Sequence, residues 1–403
     1  MSVENALRPG RLEFIREALP GVTPENPQWL RYSNSYQSLN YTPAATMSER
    51  RRVGAFDVQN FSGGAEDHNF ELNYDMQQWF VDSNGDPLDA AYDGMMRNEF
   101  GEVFNTHSVL EMIFMGGRGT AGGGVRQYVY STGCKMDTVT ITGEPDTGDP
   151  INVTAAYIAE KMRVYRVDQP ASATLLTVRS TSASDSSQTL TIESDDAEVS
   201  ETVSLNGTSA VTTSATFDSL DAARLSAECQ GDVTIEDAQG NILMTIYGRG
   251  SYQNREGDIG LPLLGSGDRA APIVGQFESL LGAVIERDGD PLLNDVDIAS
   301  ATVTVGNNLD PQPSHKTIGR RINEGDRDVT IAATVYGPTA SYDSINEHLR
   351  IVQADIVWVF AQGTLLFPGS CLTEPGSIAR ETSVATMTID NTFTSKGIVI
   401  DPE

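Results

Sequence analysis

Apolar and polar residues alternate along much of this sequence, and the alternation is clearest between residues 299 and 337. Two runs, 301–305 and 328–335, place apolar residues at every second position. A period of two puts successive side chains on opposite faces of a strand, so both runs predict half-buried strands. The polar positions of these runs are Thr302, Thr304, Asp328, Thr330 and Thr334.

Two further segments repeat this design. Residues 138–142 alternate Val139 and Ile141 with threonines that include Thr138 and Thr140, and residues 384–389 alternate in the same way. The four runs together predict a wall with apolar side chains on one face and small hydroxyls on the other. The strand preference of threonine would by itself give the same pattern.

Other spacings predict the remaining elements. Residues 65–80 alternate as a strand. Leu12, Ile15 and Leu19 have helical spacing before Pro20-Gly21, which predicts a helix over 10–19. Asp86 and Pro87 are suited to the N-cap and first position of a second helix that reaches Met96. Residues 342–352 have a weaker helical spacing, and residues 20–50 are rich in loop-forming residues.

The composition changes at Asp168. From there to Tyr252 the chain is dense in Ser and Thr and has no Lys or Trp. About seven short alternating runs, with turn signals at Asn206-Gly207 and residues 239–241, predict an inserted immunoglobulin-like β-sandwich. Residues 253–272, rich in Gly and charge, predict a linker back to the rest of the chain. The apolar run at 277–285 fits a strand or a helix equally well.

A family resemblance rests on two segments. Residues 299–337 contain a strand that ends in Asn-Asn-Leu and then a polar loop with the dipeptide Gly-Arg. A second strand follows, with the pattern Glu-Gly-x-Arg-x-Val-Thr. Residues 136–167 contain a strand, a Gly-Glu turn and a second strand. Both resemble tail tube proteins of tailed viruses. The residues that carry the C-terminal match are Asn307, Asn308, Leu309, Gly319, Arg320, Glu324, Gly325, Arg327, Val329 and Thr330.

The resemblance implies a mainly β fold: a tail-tube-like β-sandwich or barrel core with a flanking helix, plus the inserted sandwich. It divides the chain into residues 1–167 and 253–403, two halves of the core, around an insert at 168–252 on the exterior of a tube. Homohexameric rings would stack into that tube, with a tape measure protein and other tail proteins as partners. Residues 20–50 would be an arm that reaches a neighbouring subunit, although an ordinary surface loop explains them equally well.

The net charge of the chain limits the functions that the sequence is compatible with. The chain has a formal net charge of -29, and only four of its 27 basic residues are Lys. Acidic excess with few lysines is typical of proteins that work at high salt, where charge repulsion is screened. Tight DNA binding depends on basic side chains, so we expect viral DNA to pass through the lumen without specific binding. No apolar run approaches the ~20 residues of a membrane-spanning helix, and no signal-peptide pattern opens the chain.

Candidate chemistry is sparse. Asp82, Asn84 and Asp86 resemble half of a calcium loop, but Pro87 stands where such a loop needs Gly. Residues 117–122 fit a dinucleotide-binding glycine pattern, yet the following residues read as a strand instead of the required helix. The three cysteines are far apart and the four histidines are isolated in sequence. We therefore expect no cofactor, no metal and no catalytic site.

The sequence thus predicts a structural virion protein of a tail that is assembled in the host cytoplasm, in a virus of a halophilic archaeon. The residues expected to face the lumen are Thr138, Thr140, Thr302, Thr304, Thr330 and Thr334. A tail terminator, a distal tail hub or another ring-forming tail protein is the alternative. A surface-layer protein would also explain the acidity, but it would be expected to carry a signal peptide.

Overall fold

The fold is described from a computed structural model of the chain. It covers residues 8–27, 29–31, 36–50, 60–75, 106–115, 124–143, 150–194, 199–249, 257–264, 284–287, 290–291, 298–313, 320–336, 349–350, 353–360, 363–374, 388–396 and 399–401. Within these ranges the protein is almost entirely β-structure, which confirms the predicted fold class, and helix is confined to residues 349–350. None of the described residues forms a helix with the length and apolar character needed to cross a membrane.

The first eight strands belong to one large sheet. They are β1 (Arg8–Arg16), β2 (Leu30–Arg31), β3 (Tyr36–Arg50), β4 (Asn60–Asp75), β5 (His107–Met115), β6 (Val125–Gly143), β7 (Asn152–Ala159) and β8 (Lys161–Asp168). β6 is the longest and changes neighbours along its length. Its first half pairs with β5 and β8, and its second half pairs with β7 and, further along the chain, with β18 (Ile298–Gly306).

The helix predicted over residues 10–19 is wrong, because β1 occupies most of that segment. The side chains of Leu12 and Phe14 are buried in one apolar cluster. Glu13 and Ile15 point to the opposite face of the strand, and Glu13 has Leu110 as its cross-strand partner. Both faces of β1 are covered, so its apolar residues do not show a simple alternation. The spacing of Leu12, Ile15 and Leu19 therefore imitates a helix. The second predicted helix, at residues 87–96, lies outside the described residues.

The prediction of a loop over residues 20–50 is also wrong in part. β3 is a 15-residue strand and pairs antiparallel with β4 along nearly its whole length. Leu39 and Tyr41 of β3 pack against the core that Phe70 and Leu72 of β4 help to form. The polar residues that suggested a loop alternate with these apolar ones.

The strands predicted within residues 168–252 are present. They are β9 (Thr174–Ser180), β10 (Thr189–Glu193), β11 (Ser200–Ser204), β12 (Val211–Phe217), β13 (Ala222–Leu225), β14 (Val233–Glu236) and β15 (Ile242–Ile246). They form a three-stranded sheet in the order β11-β10-β13 and a four-stranded sheet in the order β12-β9-β14-β15. We call these two sheets the sandwich. Its immunoglobulin-like character and the domain boundaries remain predictions.

Both turns predicted in the sandwich are present, but only one of them joins paired strands. Gly240, with φ of 82°, completes the turn between paired strands β14 and β15, as the sequence predicts. Asn206-Gly207 also forms a turn, with a bridge between Asn206 and Ser209. That turn joins β11 to β12, which belong to different sheets, so it does not connect a pair of hydrogen-bonded strands.

The sandwich shares one apolar core with the first part of the large sheet. Trp29, Leu110, Tyr128 and Tyr165 belong to the same buried cluster as the sandwich interior. The tyrosines also make polar contacts, since the Tyr165 hydroxyl donates to Asp258 at 2.7 Å. The sandwich is therefore packed against β5, β6 and β8.

Residues 257–264, predicted as part of a linker, complete this packing. The backbone N–H of Leu225 in β13 donates to Ile259, and Gly260 forms a bridge with Arg224. Leu261 is fully buried in the sandwich core, and the N–H of Leu264 donates to the Glu193 carboxylate at 2.6 Å. This segment covers the free edge of β13.

The remaining strands return to the large sheet. They are β16 (Val284–Arg287), β17 (Asp290–Pro291), β18, β19 (Asp310–Pro313), β20 (Arg320–Asn323), β21 (Asp328–Tyr336), β22 (Gln353–Phe360), β23 (Gly363–Glu374), β24 (Thr388–Ser395) and β25 (Val399–Asp401). The main path through the sheet runs β17-β16-β22-β23-β24-β21-β18-β6-β5-β1-β2, while β19 and β20 pair with each other. The predicted loop between β18 and β21 thus contains a small hairpin.

Asp185 closes one end of the sandwich. Burial alone would raise the pKa of this carboxyl, but hydrogen bonds from the Ser180 hydroxyl and the backbone N–H groups of Gln230 and Gly231 lower it below its ordinary value. Their lengths are 2.6, 2.9 and 2.9 Å. One buried carboxylate therefore joins three segments of the chain.

We expect Asp185→Asn to lower the free energy of unfolding at pH 7 by about 1–3 kcal/mol, because hydrogen bonds to a charged group are lost. Since the pKa is lowered by folding, this contribution is present above about pH 4 and disappears as the pH falls through the folded-state pKa. Urea titrations between pH 2 and 8 measure it. The exposed Asp218→Asn in the same sandwich is the matched control, and an equal loss in both variants would contradict the assignment.

Candidate functional site

The six threonines predicted to share a surface do lie on one face of the large sheet. β6, β18 and β21 are neighbours in that order, followed by β24. Thr304 lies opposite Thr140 on one side and Thr330 on the other, and Thr138 lies opposite Gly306. The period of two then places Thr302 and Thr334 on the same face.

The cross-strand register extends this surface over eight strands, in the order β3-β4-β7-β6-β18-β21-β24-β23. The first row is Ser38, Asn73, Thr154, Thr140, Thr304, Thr330 and Thr394. The second row is Asp75, Asn152, Thr142, Thr302, Ala332, Thr392 and Glu374. The third row is Asn40, Glu71, Ala156, Thr138, Gly306 and Asp328. We call these three rows the threonine face.

The opposite side of the same strands is predominantly apolar. Val139, Ile141, Val303 and Ile331 are completely or almost completely buried there, within one large cluster. The threonines between them are only half-buried. The apolar alternation therefore fixes the orientation of the strands, and the threonine face is the side that the core leaves uncovered.

The charges on this surface have one sign. No Lys or Arg occurs in the three rows, and their carboxylates, which include Asp75, Asp328 and Glu374, lie at the margins. Two basic residues border the rows: Lys135 of β6 lies beyond Thr138 and forms an ion pair with Glu324 at 2.9 Å, and Lys396 follows Thr394 by two residues and donates to the Gln353 side chain at 2.9 Å. The centre of the face is therefore neutral and lined with small hydroxyls.

Hydroxyls of this kind bind water but are poor acids and bases. Between the threonines of the face, the Thr302 hydroxyl donates to the Thr142 Oγ1 at 3.4 Å, whereas the Asn152 side-chain N–H donates to the Asn73 side-chain oxygen at 2.7 Å. The hydrogen bonds between neighbouring threonines are thus weak, and the remaining donors and acceptors of the hydroxyls face outward. The surface can form a hydrated wall with no basic group that would hold an anion.

The residues behind the family resemblance form a corner beside this face. The side-chain N–H of Asn307 donates to the Met136 carbonyl at 3.0 Å, and the N–H of Leu309 donates to Asp137 at 2.9 Å. Arg327 in turn donates to the Asn307 side-chain oxygen at 3.2 Å. These bonds connect the end of β18 and the start of β21 to the middle of β6. Their evident role is structural.

Asn308 and Gly325 complete the corner through a close backbone approach. Asn308 has φ of 47°, a left-handed conformation that Asn tolerates better than most residues. Its side chain donates to Asp328 at 2.8 Å, and its carbonyl oxygen lies 2.1 Å from where a Cβ on Gly325 would sit. Only glycine fits at position 325.

Sequence reasoning missed a second polar cluster, centred on Glu17. Its buried carboxylate accepts from the N–H of Gly21 at 2.7 Å, from the N–H of Gly133 at 2.9 Å and from the Ser108 hydroxyl at 2.7 Å. Glu160 packs against the same two glycines. Burial raises the pKa of Glu160, and the charge of Glu17 adds to this effect. Two carboxyl groups separated by more than 140 residues gave no local signal.

The other candidate residues that the structure describes do not assemble into a site. The calcium-like residues Asp82, Asn84 and Asp86 and the glycine pattern at 117–122 lie outside the described residues, although β6 does begin at Val125, as a strand. His68 and His107 are buried, and burial, aided by Arg16, lowers the pKa of His107 to about 4. Within the described ranges, no three His, Cys, Asp or Glu side chains are placed to hold a metal ion.

Comparison with known proteins assigns no family to the chain. No protein-family model matches it, and no curated protein matches it.

We expect Gly325→Ala to lower the free energy of unfolding by more than about 2 kcal/mol, because its Cβ would collide with the Asn308 backbone. The matched control is Gly306→Ala, where the nearest atoms lie 4.0 Å from the new Cβ. Chemical denaturation measures both variants. Similar stabilities for the two would show that the backbone at the corner relaxes freely.

Proposed function

We propose that this chain is a structural protein of a viral tail. Copies assemble into rings, expected to be hexameric, that stack into a tube through which viral DNA passes. The observation that carries the proposal is the threonine face: a sheet surface eight strands wide, neutral at its centre and without a basic side chain in its three rows. A polyanion moves along such a surface without forming ion pairs.

The strand arrangement supports this function. If each of six copies contributes β6, β18, β21 and β24 to the lumen, the wall has 24 strands. At about 4.8 Å between strands, its circumference is about 115 Å and its diameter about 37 Å before strand tilt is considered. Such a ring has the scale of a conduit and not of a filled core.

An open strand edge supports assembly. Among the described strands, the 15-residue β3 pairs with β4 alone. Unpaired edges of this length are sites where another chain adds a strand. If the edge strands of neighbouring copies pair with each other, the ring closes and the unpaired edges disappear.

The acidity of the chain supports a high-salt setting. Copies with a charge of -29 repel each other strongly, and this repulsion is screened within about 3 Å at 1 M salt. The proposal therefore includes a halophilic archaeal host. Assembly would take place in the host cytoplasm, with the tape measure protein and other tail proteins as partners.

Electron microscopy of the purified protein in molar salt tests the class directly. We expect hollow stacked rings or tubes of uniform width. Single rings that never stack would favour a tail terminator or a distal hub. Monomers at every concentration and salt would overturn the proposal.

A bulky residue on the threonine face tests the lumen assignment. We expect Thr304→Trp or Thr138→Trp to leave folding and tube formation intact, because both positions lie outside the core. DNA passage, however, should be obstructed, so that infectivity falls by at least tenfold. Plaque assays of mutant virus with normal tails measure this, with Thr304→Ser as the control. Normal infectivity of the Trp variants would contradict the assignment.

A further inference from the structure

Glu160 lies at the junction of β7 and β8, beside the point where β6 changes neighbours. It is the single residue between the two strands, and its N–H donates to the Thr132 carbonyl of β6 at 3.0 Å. Its side chain lies over Gly133, so close that a Cβ on Gly133 would be 2.6 Å from the Glu160 Cγ. Only glycine at position 133 therefore leaves room for the Glu160 side chain here.

Glu17 approaches the same junction from the end of β1. Its carboxylate is buried and accepts from the N–H of Gly133 at 2.9 Å and from the N–H of Gly21 at 2.7 Å. The Oε2 of Glu160 lies 3.1 Å from where a Cβ on Gly21 would sit. Two carboxyl groups thus lie beside the same two glycines, one in β6 and one in the turn over residues 19–22.

The turn depends on these polar contacts more than on apolar packing. Its ends, Leu19 and Val22, are 66% and 51% exposed, and the bond from the Val22 N–H to the Leu19 carbonyl closes it at 3.0 Å. Directly after the turn, Thr23 is buried and its hydroxyl is 2.6 Å from that of Ser108. The chain is therefore fixed on both sides of the turn, and the two glutamates lie under the part between.

The two carboxyl groups oppose each other electrostatically. Like charges repel more strongly in a partly buried position than in bulk water. Burial raises the pKa of Glu160 above its ordinary value of 4.5, and the charge of Glu17 raises it further. The positive charges of Lys135, Lys161 and Arg321 act in the opposite direction without cancelling this effect. Glu160 therefore takes up a proton more readily than an exposed glutamate.

Neighbouring groups with shifted pKa values keep their charge state between pH 5 and 8. Burial, aided by Arg16, lowers the pKa of His107 to about 4. Burial also raises the pKa of Tyr130 to about 12 and, together with the charge of Glu17, raises that of Cys134 well above its ordinary value. Glu324 also reaches this region, where it pairs with Lys135 at 2.9 Å.

We propose that Glu17 and Glu160 form a pH-sensitive contact that holds the turn over residues 19–22 on the junction, firmly when Glu160 carries a proton and loosely when it is ionised. Because folding raises the pKa of Glu160, its contribution to stability is complete below about pH 4.5 and is lost as the pH rises through the folded-state pKa. The contact is separate from the threonine face and does not require assembly into rings.

Hydrogen exchange measured by mass spectrometry in 1 M salt tests the contact. Molar salt screens the repulsion between surface carboxylates, whereas a partly buried pair is screened much less. After correction for the intrinsic exchange rate, we expect protection of the peptides that cover residues 17–23 and 131–135 to fall by at least threefold between pH 5 and pH 8.

Three variants identify the group that titrates. Glu160→Gln keeps the shape of the side chain without its charge, so we expect high protection that no longer depends on pH. Glu17→Gln removes the repulsion but also weakens the bonds to Gly21 and Gly133, so protection should be low at every pH. Glu25→Gln, the same substitution at an exposed position just after the turn, is the matched control and should behave like the wild type.

Two outcomes would overturn the proposal. One is protection of these peptides in the wild type that does not change with pH. The other is the same pH dependence in Glu160→Gln as in the wild type, which would assign the effect to other groups of the acidic chain. Neither outcome bears on the tail-tube proposal, which electron microscopy of the wild type decides separately.

Discussion

The backbone pairing of β6 is the constraint on which the rest of the structure depends. This single strand is hydrogen-bonded to β5 and β8 in its first half and to β7 and β18 in its second. The exchange of partners occurs around Gly133 to Asp137, where Gly133 has φ of 65° and the pairing with β7 shifts register. The orientation of the threonine face and the position of the sandwich both follow from this one region.

Two buried polar groups hold the exchange point from opposite sides. Glu17 binds the N–H of Gly133, and Asn307 binds the carbonyl of Met136. A strand that changes partners leaves backbone groups that no neighbouring strand can satisfy, and an unpaired buried group costs about 1–3 kcal/mol. The residues that directly follow β1 and β18 supply the missing partners. The residues that resemble a viral family thus have a structural reason to be present here, independent of any ancestry.

The sequence predicted what depends on local alternation and missed what depends on distant contacts. Val303 and Thr304 alternate because one face of β18 is buried and the other is not, so the threonine face could be anticipated. β1 was mistaken for a helix, because both of its faces are covered and Ile15 is as apolar as Leu12. The role of Glu17 could not be anticipated, since its partners Ser108 and Gly133 lie about 90 and 116 residues away. Nothing in the local pattern records such distances.

The connection between β6 and β18 also sets the order in which the chain can fold. The two strands are separated by more than 150 residues, and the sandwich lies between them in sequence. During synthesis β6 emerges long before β18, so Val139 and Ile141 lack one of their neighbours while the sandwich is being made. Long-range pairing of this kind is slow, because the intervening loop must first be closed. We expect the packing of the sandwich on β6 and β8, once it forms, to shorten that loop and so to limit the time for which the unpaired edge of β6 is open.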